Sequence, residues 1–185
     1  MNITNTAGRT TAAALLGGVL ALTTALTTAV PAGAAVGVVK DPAGDGRTSF
    51  KSGDVTKVRV KHGPKALRIA VSHAADSGLA DVYRFNIDTR PKVKGPEWVI
   101  GTGIEVEEWR VFRADGWTGV DGEPVCTDGN DIDWDAERMR LVVPRGCLGS
   151  PKRVRVNLVT SNDYPGTPVD HAPGKRKYGG WVAAG

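Results

Sequence analysis

The sequence has only two cysteines and three histidines among its 185 residues. That shortage excludes a structural zinc site, because Cys126 and Cys147 would need two histidine partners, and His62, His73 and His171 stand at no ligand spacing to them. No H-E-x-x-H is present. None of Ser49, Ser52, Ser72, Ser77, Ser150 and Ser161 lies in a G-x-S-x-G frame, and Gly174-Lys175 lacks the glycine spacing and the following Ser or Thr of a phosphate loop. Metalloprotease, α/β-hydrolase and phosphate-loop chemistry therefore have no sequence support. After residue 34, no segment of ten or more residues keeps apolar side chains at spacings of three and four, so helix is expected to be scarce. A net charge of +4 is mild, and it lacks the concentrated basic footprint of a nucleic-acid binder, so no nucleic-acid partner is expected.

The N-terminus supplies the first positive feature. Arg9 is the only charged side chain before Lys40, and it precedes the apolar run at residues 12–22. Pro31 and the triplet Ala32-Gly33-Ala34 then form an A-x-A cleavage site. Residues 1–34 are expected to be a signal peptide and residues 36–185 a single secreted domain. A transmembrane anchor would need about 20 predominantly apolar residues, and Thr23, Thr24, Thr27 and Thr28 interrupt the run too early. Neither cysteine lies near the cleavage site to carry a lipid, so no membrane attachment is expected after cleavage. In the oxidising space outside the cell, Cys126 and Cys147 are expected to pair, closing a loop of roughly 20 residues that stabilises the fold by on the order of 3 kcal/mol.

Beyond residue 50 the hydrophobic period is two, the mark of strands with one buried face. Val58 and Val60 alternate with Lys57, Arg59 and Lys61, and Leu67, Ile69 and Val71 alternate with Arg68, Ala70 and Ser72. Gly63-Pro64-Lys65 between them predicts a hairpin. Further strands are predicted over 83–87, 98–100, 107–113, 139–143 and 153–158. Residues 119–124 read as a loop, and residues 162–180 as an ordered loop laid over the sandwich and held by Trp181. Seven or eight short strands at turn-marked intervals predict an all-β fold, an antiparallel β-sandwich or jelly roll with one disulfide.

Asp41-Pro42-Ala43-Gly44-Asp45 and Gly53-Asp54-Val55 resemble the opening of a family of small secreted actinobacterial proteins of unassigned function. Those proteins also carry a Pro-Arg-x-Cys-Leu-Gly-x-Pro segment before a basic final strand. It stands here as Pro144-Arg145-Gly146-Cys147-Leu148-Gly149-Ser150-Pro151. Asp170-His171-Ala172-Pro173 and Trp181-Val182 are similar as well, so the likeness spans nearly the whole of the expected domain. It is distantly similar to carbohydrate-binding and DOMON-type β-sandwich modules. The resemblance implies the sandwich and the disulfide and carries no reaction with it.

Two candidate sites stand out in the residues themselves. Asp128, Asn130, Asp131, Asp133 and Asp135 gather the hard oxygen ligands that Ca²⁺ takes. Ala136 stands where an EF-hand has Gly, however, and Val142 where it has Glu. A solvated acidic hairpin tip explains the same residues. Asp41, Asp45 and Asp54 carry the same ambiguity between a metal and a turn role. Among the five tryptophans, Trp117 lies between Gly116 and Thr118-Gly119, in a turn from which an indole could offer a sugar a flat face or close one end of the sandwich as a lid. Glu105, Glu107 and Glu108 do not pair for glycoside cleavage, since Glu107 and Glu108 point to opposite faces of a strand. The leading reading is a secreted, non-catalytic protein with a binding or structural role at the cell envelope or outside the cell. Its expected partner is a cell-wall glycan or polyanion. A secreted hydrolase of unrecognised type and a protease-inhibitor-like protein are the alternatives. No cofactor is expected other than calcium.

Overall fold

Side chains that alternate between apolar and charged can satisfy both water and a core only where a sheet has one face on each. Twelve strands among the described residues solve this by packing two antiparallel sheets face to face. The computed structural model describes residues 33–47, 52–162 and 167–185. The expected signal peptide, but for its last two residues, lies outside the described residues.

The first sheet runs in the order β1 (Ala35–Lys40), β2 (Val55–His62), β3 (Ala66–His73), β9 (Arg138–Pro144), β8 (Asp131–Asp133). The predicted hairpin joins β2 to β3, with Val60 opposite Ile69 and Val58 opposite Val71. The second sheet runs β11 (Thr167–Ala172), β10 (Arg153–Asn162), β4 (Val82–Asp88), β5 (Trp98–Gly103), β6 (Glu108–Asp115), β7 (Gly119–Gly129), and the short β12 (Val182–Ala183) pairs with the start of β10. Both predicted features of the fold class, the antiparallel sandwich and the disulfide, are present.

The core lies between the sheets. Val58, Val60, Leu67, Ile69, Val71, Met139, Leu141 and Val143 face Tyr83, Phe85, Ile87, Ile100, Trp109, Val111, Val156 and Leu158, all fully buried or nearly so. Most are the apolar members of alternating pairs, so the period-two pattern itself largely selects this face. Cys126 in β7 bonds to Cys147 in a single turn of 3-10 helix, Arg145–Leu148, that carries the chain from β9 to β10. The bond ties an edge of the second sheet to the crossover from the first.

Three loop readings need correction. Residues 119–124 are not a loop but the first half of β7, paired with β6. Within residues 162–180, Asn162 ends β10 and Thr167–Ala172 form β11 against it, and the part after Ala172 crosses the sheet as a loop. The acidic stretch contains strand β8, whose pairing with β9 leaves the turn at residues 134–137 as the hairpin tip.

Candidate functional site

Register decides which charges meet on a sheet face. On the solvent face of the first sheet, Lys40 stands opposite Lys57, Val38 opposite Arg59, and Val36 opposite Lys61. Lys57 is in turn opposite Ser72, Arg59 opposite Ala70, and Lys61 opposite Arg68. Arg138 and Arg140 on β9 continue the same face. Seven cations thus share one surface. Its acids stand at the β8 edge, where Asp131 and Asp133 both pair with Arg140 at 3.3 and 2.8 Å. Among the described residues, Lys40, Lys57, Arg59, Lys61 and Arg68 form no ion pair. Exposed Val36, Val38 and Val142 fill the remaining positions.

At one end of the sandwich an opposite cluster forms. The turn after β1 carries Asp41 and Asp45 onto Asp170 of β11, with one carboxylate oxygen of each within 4.8 Å of the others. Asp54, just before β2, is bound into the same turn. Its Oδ2 accepts from the Gly44 N–H at 2.7 Å, at a residue whose φ of 84° suits glycine. Asp170 Oδ2 accepts from the Val55 N–H at 2.8 Å, and its Oδ1 from the His171 N–H at 2.6 Å. Burial first, then the charges of Asp170, Asp45 and Asp54, push the Asp41 carboxyl up to about 7. Asp170 is raised as well, by burial.

The solvent face of the second sheet is covered by the chain end. Asn157 Nδ2 donates to the Gly174 and Lys177 carbonyls at 3.1 and 2.8 Å, which lays this segment across β10. Asp88, wholly buried, accepts from Arg155 Nε at 2.7 Å, and the same guanidinium lies 4.6 Å from the centres of both the Tyr178 and Trp181 rings. Arg153 stacks on Trp181 from the side, 4.9 Å from the ring centre. The expectation that Trp181 holds this segment agrees with that stack.

The predicted site residues fall as follows. Trp117 is half-buried against the Tyr178 ring, 4.8 Å centre to centre, so it forms part of this cover. Trp134, at the tip between β8 and β9, is the indole that projects, with 62% of its surface exposed. Asp128, Asn130, Asp131 and Asp133 are not brought into one ligand set. Asp128 Oδ1 accepts from the Gly129 N–H, and Asp131 and Asp133 are engaged by Arg140. Asn130 turns its amide nitrogen inward, donating to Thr102 Oγ1 and to the Gly103 and Val106 carbonyls.

Two titratable side chains, His73 and Glu108, are engaged in structural bonds. His73 Nδ1 donates to the Glu137 carbonyl at 2.9 Å, so its Nε2 accepts from the Tyr83 hydroxyl, and that hydroxyl accepts from the Ala80 N–H. Glu108 is held by Arg110 and Thr127. A cavity of about 80 Å³ beside Trp181 and Val182 is lined by apolar side chains and glycine, well below the several hundred Å³ of a small-molecule pocket.

Sequence reasoning missed Asp170, Trp134, Lys40 and Arg68 as site members. Arg68 was recoverable from parity, since a hairpin about Gly63-Pro64 puts it on the face of Lys61, whereas Lys40 lies on β1, which the sequence reading did not predict. Asp170 was not recoverable, because its partners lie more than a hundred residues away.

Fold and surfaces together define an all-β, disulfide-pinned sandwich with one cationic outer face and one acidic end. Comparison of the chain with protein-family models, curated proteins and solved structures found no match.

Proposed function

We propose that the protein is a secreted, non-catalytic β-sandwich that binds an anionic polymer at or beyond the cell envelope through the solvent face of its first sheet. The observation that carries this reading is the pairing of like charges. Lys40 opposite Lys57 and Lys61 opposite Arg68 are direct cross-strand pairs, and like charges so placed are destabilising. Charge of either sign would keep the face soluble. A run of one sign, kept at a cost, supports attraction of a polyanion. The N-terminal apolar run, the A-x-A triplet and the resemblance to small secreted proteins support export. The disulfide fits an oxidising compartment.

The test is binding of purified protein to immobilised teichoic acid, with neutral polysaccharide as the comparison, across a salt series. Binding is expected to weaken steadily as salt screens the contact. A Lys57→Glu/Lys61→Glu double variant is expected to bind at least about tenfold more weakly, since two repulsive contacts replace two attractive ones, while melting no lower than the parent. Equal binding by parent and variant would overturn the reading. Salt-independent binding of the neutral polysaccharide would move the contact to exposed Trp134.

A further inference from the structure

We propose that Asp41, Asp45 and Asp170, with Asp54 behind them, form a divalent cation site suited to Ca²⁺ that clamps the turn after β1 to β11. Three carboxylates converge here, with Asp54 adding its charge from behind, and among the described residues none of the four takes part in an ion pair. Backbone bonds hold them together: the Asp41 N–H donates to the Thr56 carbonyl at 3.1 Å and the Arg47 N–H to the Val169 carbonyl at 2.8 Å. The turn is therefore fastened to β2 on one side and to β11 on the other, and the acids cannot separate to relieve their repulsion.

A second observation points to a missing ligand. Asp41 is only 8% exposed, and its Oδ2 has no solvent access and no hydrogen-bond partner. Asp54 Oδ1 is likewise buried and unpartnered. A buried carboxylate oxygen left unsatisfied costs on the order of 1–3 kcal/mol or more, and facing other carboxylates makes it worse. A cation satisfies both demands at once. Oxygens on opposite sides of a Ca²⁺ ion stand about 4.6–5.2 Å apart, twice the usual bond length, and the three oxygens of this set lie within 4.8 Å of one another, close enough for one ion to reach them all. Mg²⁺ usually takes one or two carboxylates and keeps its waters, so a set of three favours the larger ion.

The experiment is calorimetric titration with Ca²⁺, alongside melts in EDTA, Ca²⁺ and Mg²⁺ at about 1 mM, the range in which extracellular Ca²⁺ modules bind. The parent is expected to take up one Ca²⁺ and to melt higher with Ca²⁺ than with Mg²⁺. Asp45 is exposed, so Asp45→Asn is expected to fold normally and to bind at least about tenfold more weakly. Asp41→Asn is expected to lose the Ca²⁺ response and, by removing a repelled buried charge, to melt higher than the parent in EDTA. An Asp131→Asn/Asp133→Asn variant is expected to respond as the parent does. The proposal is overturned if the parent gives no binding heat and no shift, if Asp45→Asn binds as tightly as the parent, or if the Asp131→Asn/Asp133→Asn variant is the one that loses the response. Teichoic acid binding does not enter these readouts, so failure here leaves the polyanion reading standing, and the reverse.

Discussion

Asp88 lies in the interior, where Arg155 reaches it and two aromatic rings hold Arg155 in place. Its other oxygen accepts from the Arg90 N–H at 2.9 Å. Removing the cation alone strands the carboxylate, so Arg155→Met is expected to cost about 3–5 kcal/mol, the usual loss when one partner of a buried pair is deleted. Urea denaturation measures it, and a loss below about 1 kcal/mol would mean that the pair is worth no more than an exposed one. Arg155→Lys should recover only part of the loss, since an ammonium cannot lie flat between two rings while donating from the side. None of this was legible in the sequence. Arg155 falls in the basic strand predicted over 153–158 and Asp88 just past the one over 83–87, and local alternation gives a side chain's face but not its partner 67 residues away.

Among the strands, legibility followed position in the sheet. The period-two segments found in the sequence, β2, β3, β4, β5, β6, β9 and β10, all have a neighbour on each side. Of the five that were missed or misread, β1, β7, β8 and β11 are the four sheet edges, and the two-residue β12 pairs only with the start of β10. An edge strand has one free ladder and tolerates residues that a central strand rejects. In β7, Gly122 has a φ of 63° and Pro124 follows two residues later, while β11 carries Pro168; both read as loop for that reason. The disulfide compensates at the β7 edge. Replacing Cys126 and Cys147 together by Ser is expected to lower stability by about 3 kcal/mol. Amide exchange should quicken first in β7, and uniform loss of protection across both sheets would show that the bond acts only on the unfolded chain.

Acid response is a property of the whole molecule, because groups of opposite tendency share it. Burial holds His62 below its ordinary 6.5, and His73 is lowered in the same way. Below about pH 6.5 the unfolded chain takes up protons that the folded chain refuses, so the stability these rings provide is complete above that pH and drains away as pH falls. Asp41 acts in reverse: its folded carboxyl keeps a proton up to about 7 against an ordinary 3.8, so its contribution weakens as pH rises through that interval. A bare melting curve therefore mixes the two, and a variant separates them. His62 Nδ1 donates to the Val182 carbonyl while its Nε2 is buried without a partner. His62→Asn, which can keep the first bond and does not titrate, is expected to trail the parent by most near pH 7.5 and to close the gap by pH 5, as protonated His62 loses its advantage. A gap independent of pH would show that His62 titrates alike in both states.

The strand order also dictates when the molecule can fold. β3 and β4, consecutive in the chain, each end up beside a strand from the last third, β9 and β10. Until those two arrive, the first seven strands form two half-sheets, each with an apolar face and a bare interior edge. Such edges are templates for pairing with other chains, and contacts closed across so long a stretch of sequence form slowly. The 3-10 turn between β9 and β10 delivers both missing strands in succession, one to each half. The protein therefore cannot fold progressively from its N-terminus: a chain halted before β9 would be an aggregation seed, and a completed one closes both sheets nearly together.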